Sequence, residues 1–225
     1  MTLKPVQTSA MRPVLVIVFT ALLVQLLGRY HAEGLVIGSS FYLSWVLLRI
    51  AVPVSVLMAL GVPLSRIGLG VPKIDRKTGR IIILVVALLF VAFILIYFFE
   101  NYFNYYSGSF QAETRLGRLT SFLIFTASTL TGWEFLHRGF LLMGVSYILS
   151  ERERLSVPVS SSMALGLVWV FEVVFHFIKP ELEAVGLLVG SPFLSWLALR
   201  TRSIWVPFFL HLLVELLFIM SLIMR

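Results

Sequence analysis

The sequence predicts an all-α protein, a polytopic membrane helix bundle of about seven transmembrane helices, with the whole chain, 1–225, forming a single membrane domain. Three observations predict it. Hydrophobic residues make up 59% of the 225 residues and charged residues only 13%, about half the charged share of a soluble domain. The mean hydropathy is +0.98, which excludes an ordinary soluble domain and a disordered chain. The apolar residues also gather into runs close to the length of about 20 residues that a spanning helix needs.

The runs can be taken in order. Residues 11–28 form the first; no small-x-small cleavage site follows it cleanly and six more runs come after, so it reads as a span and not as a cleavable signal. Residues 41–62 form the second and carry Arg49, read as a snorkelling or structural charge, and Pro53. The third, 81–99, holds no charge in 19 residues. The run 119–149 is interrupted by Glu134, His137 and Arg138. Residues 157–178 carry Glu172 and His176, 184–199 form the sixth run, and 204–224 carry His211 and Glu215. The aromatic stretch 97–106 has the composition of an interfacial belt.

Basic residues set the orientation, because short loops rich in Lys and Arg stay in the cytoplasm. With the N-terminus inside, eleven basic residues fall on inner segments and five on outer ones. The expected orientation therefore has the N-terminus cytoplasmic, and the expected location is a multi-pass position in a prokaryotic cytoplasmic membrane, the host not being fixed by the charge count. The net charge of +7 is accounted for by these loops and by anionic lipid, and no nucleic-acid partner is expected. No cysteine is present, which excludes a disulfide framework, a thiolate metal site and a cysteine nucleophile.

The ionisable residues inside the runs carry the functional signal. A charge at the bilayer centre costs about 2.5 to 3.5 kcal/mol on insertion scales, so each needs a partner or a purpose. Glu134 and Arg138, Glu172 and His176, and His211 and Glu215 are each four residues apart, a spacing that puts both members on one helix face. Three helices should turn these stripes toward one another, giving a buried cluster of three carboxylates, two imidazoles and a guanidinium. Any one pair could be a self-neutralising structural contact, and an intramembrane histidine can simply bond a backbone carbonyl; all three together point to chemistry. His31, in a polar loop, and His137, off the Glu134 stripe, are set aside.

Two imidazoles and a carboxylate are a common zinc ligand set with a fourth position open to water. A metal, or a positioned Glu and His, could activate water for attack on a peptide carbonyl, with a neighbouring His stabilising the oxyanion. No serine is placed persuasively beside the histidines, although Ser195 and Ser203 are present.

The stretch Trp133-Glu134-Phe135-Leu136-His137-Arg138-Gly139-Phe140-Leu141-Leu142 resembles the first motif of the CPBP intramembrane protease family, which groups CAAX prenyl endopeptidases of the second type with bacteriocin-processing and immunity proteins. That motif is two glutamates, three variable residues, then Arg-Gly. Ser203-Ile204-Trp205-Val206-Pro207-Phe208-Phe209-Leu210-His211 resembles the approach to the third motif, a His followed four residues later by Asn, and His176 is similar to the second, Phe-x-x-x-His. The likeness covers about 119–220. Trp133 stands where the family has its first glutamate, Glu172 where it has Phe, and Glu215 where it has Asn. The resemblance implies that Arg138 orients Glu134, that His176 helps activate water or bind metal, and that His211 binds metal or helps form the oxyanion hole. Glu134, His176 and His211 are then the candidate metal ligands, with zinc the candidate metal. Glu172, one turn from His176, is the candidate replacement for the missing carboxylate.

The expected function is therefore an intramembrane endopeptidase, in which Glu134, Arg138, Glu172, His176, His211 and Glu215 form the catalytic cluster. It would cleave a peptide bond of a membrane-anchored or lipid-modified protein or peptide within the lipid bilayer. The alternatives are a catalytically inactive scaffold or immunity-type binding protein of the same fold, and an ion-coupled transporter, which the absence of an inverted repeat disfavours. Depth raises a further expectation. At about 1.5 Å per residue, Glu134 and His211 reach similar depths, whereas His176 sits near the outer end of its run, so the fifth span must end inside a cavity or start deeper, with Lys179-Pro180 as its breaker.

Overall fold

In hydrocarbon a backbone N–H or C=O has no partner but the chain itself, so apolar runs of spanning length resolve into helices. The computed structural model describes residues 11–34, 38–96, 115–176 and 181–224. Every regular element among them is helical: α1 (Met11–Gly34), α2 (Gly38–Ala59), a 3₁₀ turn (Leu64–Arg66), α3 (Arg76–Ile96), α4 (Arg115–Glu134), a π-helical segment (Phe135–Gly144), α5 (Val145–Glu151), α6 (Val157–His176), α7 (Glu181–Thr201) and α8 (Trp205–Met224). The aromatic stretch 97–106 and Lys179-Pro180 lie outside the described residues. His31 falls within α1 and not in a loop.

Among the described residues four helices are long and apolar enough to cross a membrane, over Met11–Gly28, Arg76–Ile94, Val157–His176 and Glu183–Thr201, and two shorter apolar stretches cover Leu48–Ala59 and Trp205–Leu217. The run 119–149 is a continuous helical rod whose hydrogen-bond ladder changes halfway. All ten residues of its π segment are buried. That segment touches α1, α2, α4, α5, α6 and α7, so the bundle is wrapped around it. The main core gathers there, with Ile17 and Ala21 of α1, Leu57 of α2 and Ala164 and Val168 of α6 packed about Leu136, Phe140 and Leu141.

Two glycines let the loop after the 3₁₀ turn approach this axis. Gly68 has φ of +82°, and a Cβ there would lie 2.5 Å from Met143 Sδ; only glycine meets both demands without strain. A Cβ on Gly139 would lie 3.2 Å from the Ile67 carbonyl oxygen. The same loop is tied to the turn between α7 and α8. The Ile204 N–H donates to Gly68 O and the Lys73 N–H to Thr201 O, both at 2.9 Å. Ser203 Oγ donates to Gly70 O at 2.8 Å and Trp205 Nε1 to Leu69 O at 3.0 Å.

Helix ends and breaks follow local chemistry. Asp75 caps α3: its Oδ1 accepts from the Thr78 N–H at 2.7 Å, the usual N-cap arrangement. That bond, helped by Arg200, whose Nη2 lies 2.6 Å from Oδ2, holds the Asp75 carboxyl below the ordinary carboxylate range. In α7, Pro192 has no N–H to give to the Leu188 carbonyl. Trp169 of α6 fills the gap, its Nε1 donating to Leu188 O at 3.2 Å.

Candidate functional site

A helix closed by i→i+5 bonds is wider than an α-helix and turns through a smaller angle per residue, so adjacent side chains diverge less. The π segment therefore lets two consecutive residues address one acceptor. Arg138 grips the Glu172 carboxylate with both terminal nitrogens, Nη1 on Oε1 and Nη2 on Oε2, the latter at 3.0 Å. His137 Nδ1 lies 3.9 Å from the same Oε1. Trp133 Nε1 donates to it at 3.1 Å. Both Glu172 oxygens are thus engaged.

Glu134 is held differently. Its Oε1 lies 3.4 Å from Arg138 Nη1 and accepts from His211 Nδ1 at 2.7 Å. Its Oε2 is fully buried and has no hydrogen-bond partner among the described residues. Arg138 consequently bridges two carboxylates, one from its own rod and one from α6, while α8 reaches the first through His211. Glu134, Arg138 and Glu172 are all at most 1% exposed. Four of the six predicted residues, Glu134, Arg138, Glu172 and His211, meet in this one chain of contacts. Glu215 stands at its edge, its Oε1 3.9 Å from His211 Nε2.

His176 is the exception. It is the last residue of α6, and its ring meets the edge of the Trp133 ring with centroids 5.1 Å apart. Nε2 lies 3.9 Å from Glu183 Oε1, and Nδ1 bonds the Glu172 carbonyl at 2.9 Å. The i,i+4 pair of α6 is therefore split: the imidazole takes the backbone of Glu172, and the carboxylate turns to Arg138. Among the described residues no group of three or more His, Asp or Glu side chains is placed to hold a metal ion. The expected zinc set of Glu134, His176 and His211 is not assembled, because Glu134 and His211 meet each other while His176 turns to Trp133 and Glu183.

The hydrogen bonds fix the protons of the imidazoles. A carbonyl or carboxylate oxygen only accepts, so Nδ1 is the donor in His137, whose partner is Trp133 O at 2.8 Å, and likewise in His176 and His211. When neutral, such a ring presents a lone pair at Nε2. In His137 that nitrogen is buried and unpartnered among the described residues. In His211, 23% exposed at its side chain, it points away from Glu134.

Of the two readings of Arg49, the structural charge and not the snorkelling one fits its contacts. It is buried, its Nη2 donates to Gln25 Oε1 at 2.8 Å and its Nη1 to Thr129 O at 3.4 Å, and its guanidinium lies 5.4 Å from the Trp133 ring centroid. Its stem passes over Gly132, where a Cβ would stand 3.0 Å away. Arg49 and Arg138 together match the charges of Glu134 and Glu172, which suits a region where an uncompensated charge is costly. Gln25, Arg49, Trp133 and His137 are thus the members that sequence reasoning missed. A lone Gln and a lone Arg in two otherwise apolar runs were the available signal for the first two. Ser203 serves the loop tie described above, and Ser195 is buried without a hydrogen-bond partner for Oγ among the described residues.

Fold and site together define a chain whose described elements are all helical, with several helices of membrane-spanning length and a buried Glu–Arg–Glu cluster that reaches a histidine on α8. Comparison with protein-family models, with curated proteins and with solved structures gives no match to this chain.

Proposed function

We propose that the chain is an intramembrane endopeptidase of the CPBP type, a bundle of about seven spans with its N-terminus in the cytoplasm of a prokaryotic cell. It hydrolyses a peptide bond in a membrane-anchored or lipid-modified protein. The observation that carries this reading is the 2.7 Å bond between Glu134 and His211, which joins residues 77 positions apart that resemble the family's first and third motifs. A carboxylate on Nδ1 leaves Nε2 of the imidazole as the base, the arrangement used by carboxylate–histidine pairs in many hydrolases.

In this mechanism His211 Nε2 takes a proton from water as the water oxygen bonds to the peptide carbonyl carbon. Glu134 stabilises the imidazolium that forms. The same proton then passes to the leaving nitrogen as the C–N bond breaks, giving a carboxylic acid and an amine. Arg138 fixes Glu134, and Glu172 fixes Arg138; both are positioning residues. Glu215 faces Nε2 from the next turn and lends the site further negative charge. No step runs through a metal.

A second reading rests on Glu172. Both of its oxygens are engaged by Arg138 and Trp133, so this carboxylate is bound as a structural member would be, and a non-catalytic scaffold of the same fold would keep it. Cleavage of a lipidated peptide by the purified protein separates the two. Glu134→Gln and His211→Ala should each lower turnover by about 10² to 10⁴ fold while the protein stays folded. Undiminished cleavage in both variants sinks the peptidase assignment; no cleavage by the folded wild type across a panel of lipidated peptides favours the scaffold.

A further inference from the structure

A groove of about 530 Å³ runs between α3 and α8 and is closed at one end by the loop that precedes α3. Its walls are apolar, with Val71 and Ile74 from the loop, Ile82 and Val86 from α3, and Trp205 and Leu210 from α8. The groove is separate from the candidate active site. At about 100° per residue, His211 and Glu215 lie about 140° and 180° round α8 from Val206, another residue of the groove wall. One helix therefore presents the polar cluster on one side and this groove on the other.

The closed end of the groove is strongly basic. Lys73 adjoins the lining residues Pro72 and Ile74, Arg76 follows in the first turn of α3, and Arg202 precedes Trp205 by three residues; all three are exposed. The only carboxylate in the same loop, Asp75, already caps α3 and pairs with Arg200. Lys73 sits between two lining residues, and its N–H bond to Thr201 O sets it beside Arg202, the residue after that acceptor. Trp205 marks the level of the polar boundary, its body lining the groove and its N–H bonded to Leu69 O, the posture of an interfacial tryptophan.

We propose that this groove binds an anionic phospholipid, with an acyl chain along the apolar slot and the phosphate at Lys73, Arg76 and Arg202. A long apolar body with one negative end matches an apolar channel ending in fixed positive charge. A second copy of the chain does not, because a symmetric contact at this face would bring two basic ends together. A zwitterionic lipid fills the slot but gains nothing from the net charge; each basic residue near anionic lipid is worth about a fivefold preference.

The test uses the full chain in bilayer nanodiscs containing either brominated phosphatidylglycerol or brominated phosphatidylcholine at equal mole fraction. The protein has five tryptophans, so the quenching assigned to Trp205 is the difference between the wild type and Trp205→Phe. Brominated phosphatidylglycerol should quench Trp205 at a lower mole fraction than phosphatidylcholine, by up to about fivefold per charge. Lys73→Gln, Arg76→Gln and Arg202→Asn together should remove the difference; asparagine is chosen at 202 because φ there is +53°. If the triple variant does not fold, raising the salt around the wild type must erase the preference, since exposed charges are screened over about 8 to 10 Å. Equal quenching by both lipids overturns the proposal, as does a preference that survives the substitutions or the salt. Quenching by neither lipid, with cross-linking between copies at Val86→Cys, overturns it in favour of a protein occupant.

Discussion

Replacing Arg138 by methionine removes the one cation among the described residues that touches both buried carboxylates. In the wild type it makes two bonds to Glu172 and lies 3.4 Å from Glu134, with all three side chains at most 1% exposed. Methionine keeps much of the side-chain length and leaves two buried carboxylates without their shared cation. Breaking a buried pair from one side costs about 3 to 5 kcal/mol, and that is the loss expected for Arg138→Met. Glu172→Gln should cost less, about 1 to 3 kcal/mol, because Arg138 keeps Glu134 and the amide can still accept from Trp133. The double variant should be more stable than the sum of the two losses predicts by at least about 1.5 kcal/mol, since the methionine no longer faces the second carboxylate. Reversible unfolding in mixed detergent and SDS micelles measures all three. A loss below about 1 kcal/mol for Arg138→Met, or additivity within about 0.5 kcal/mol, refutes the bridging role.

Three further outcomes follow from the fold. Gly68→Ala adds a methyl group at φ of +82° and 2.5 Å from Met143 Sδ; it should lower stability by about 2 kcal/mol or more, and Met143→Ala should restore only the part due to the clash, leaving about 1 to 2 kcal/mol for the backbone. A thermal midpoint equal to the wild type would contradict that account. Trp169→Phe strands the Leu188 carbonyl and should cost about 1 kcal/mol; adding Pro192→Ala returns a backbone N–H to that carbonyl and should recover the loss, so a double variant no better than the single one counts against the assignment. Asp75 has a folded pKa below its unfolded value, so its contribution is complete above the unfolded carboxyl range and fades as pH falls through the folded one. Asp75→Asn should therefore lower the thermal midpoint at neutral pH and flatten its decline on acidification, and an unchanged slope would remove Asp75 from the pH response.

Much of this arrangement is legible in the residues because hydrocarbon leaves so few choices. An apolar run long enough to span must be helical, and a Glu and Arg one turn apart within it must find partners, so Glu134, Arg138 and Glu172 could be expected to meet. His211 could be matched to Glu134 by depth from opposite ends of two runs. His176, expected near the outer end of its run, is the last described residue of α6 and packs against Trp133. Three things were not legible. The π winding leaves no trace in an apolar pattern read at α-helical period, so that period places His137 off the polar stripe although its Nδ1 lies 3.9 Å from Glu172 Oε1. The partner of Arg49 lies 24 residues away on α1, a tertiary contact that local spacing cannot show. The division of labour within each i,i+4 pair also escapes spacing: in α6 it is the backbone, not the carboxylate, that receives the imidazole.

The π segment puts α4 and α5 out of phase. Each α-helical residue advances about 100°, so rewinding any part of 135–144 to i→i+4 bonds would rotate Glu134 about the rod axis while leaving α5 where it is. The carboxylate would then leave His211, and Arg138 could no longer span both acids. The winding and the ion pairs thus hold each other in place: the ladder aims the charges, and the charges oppose the return to tighter winding.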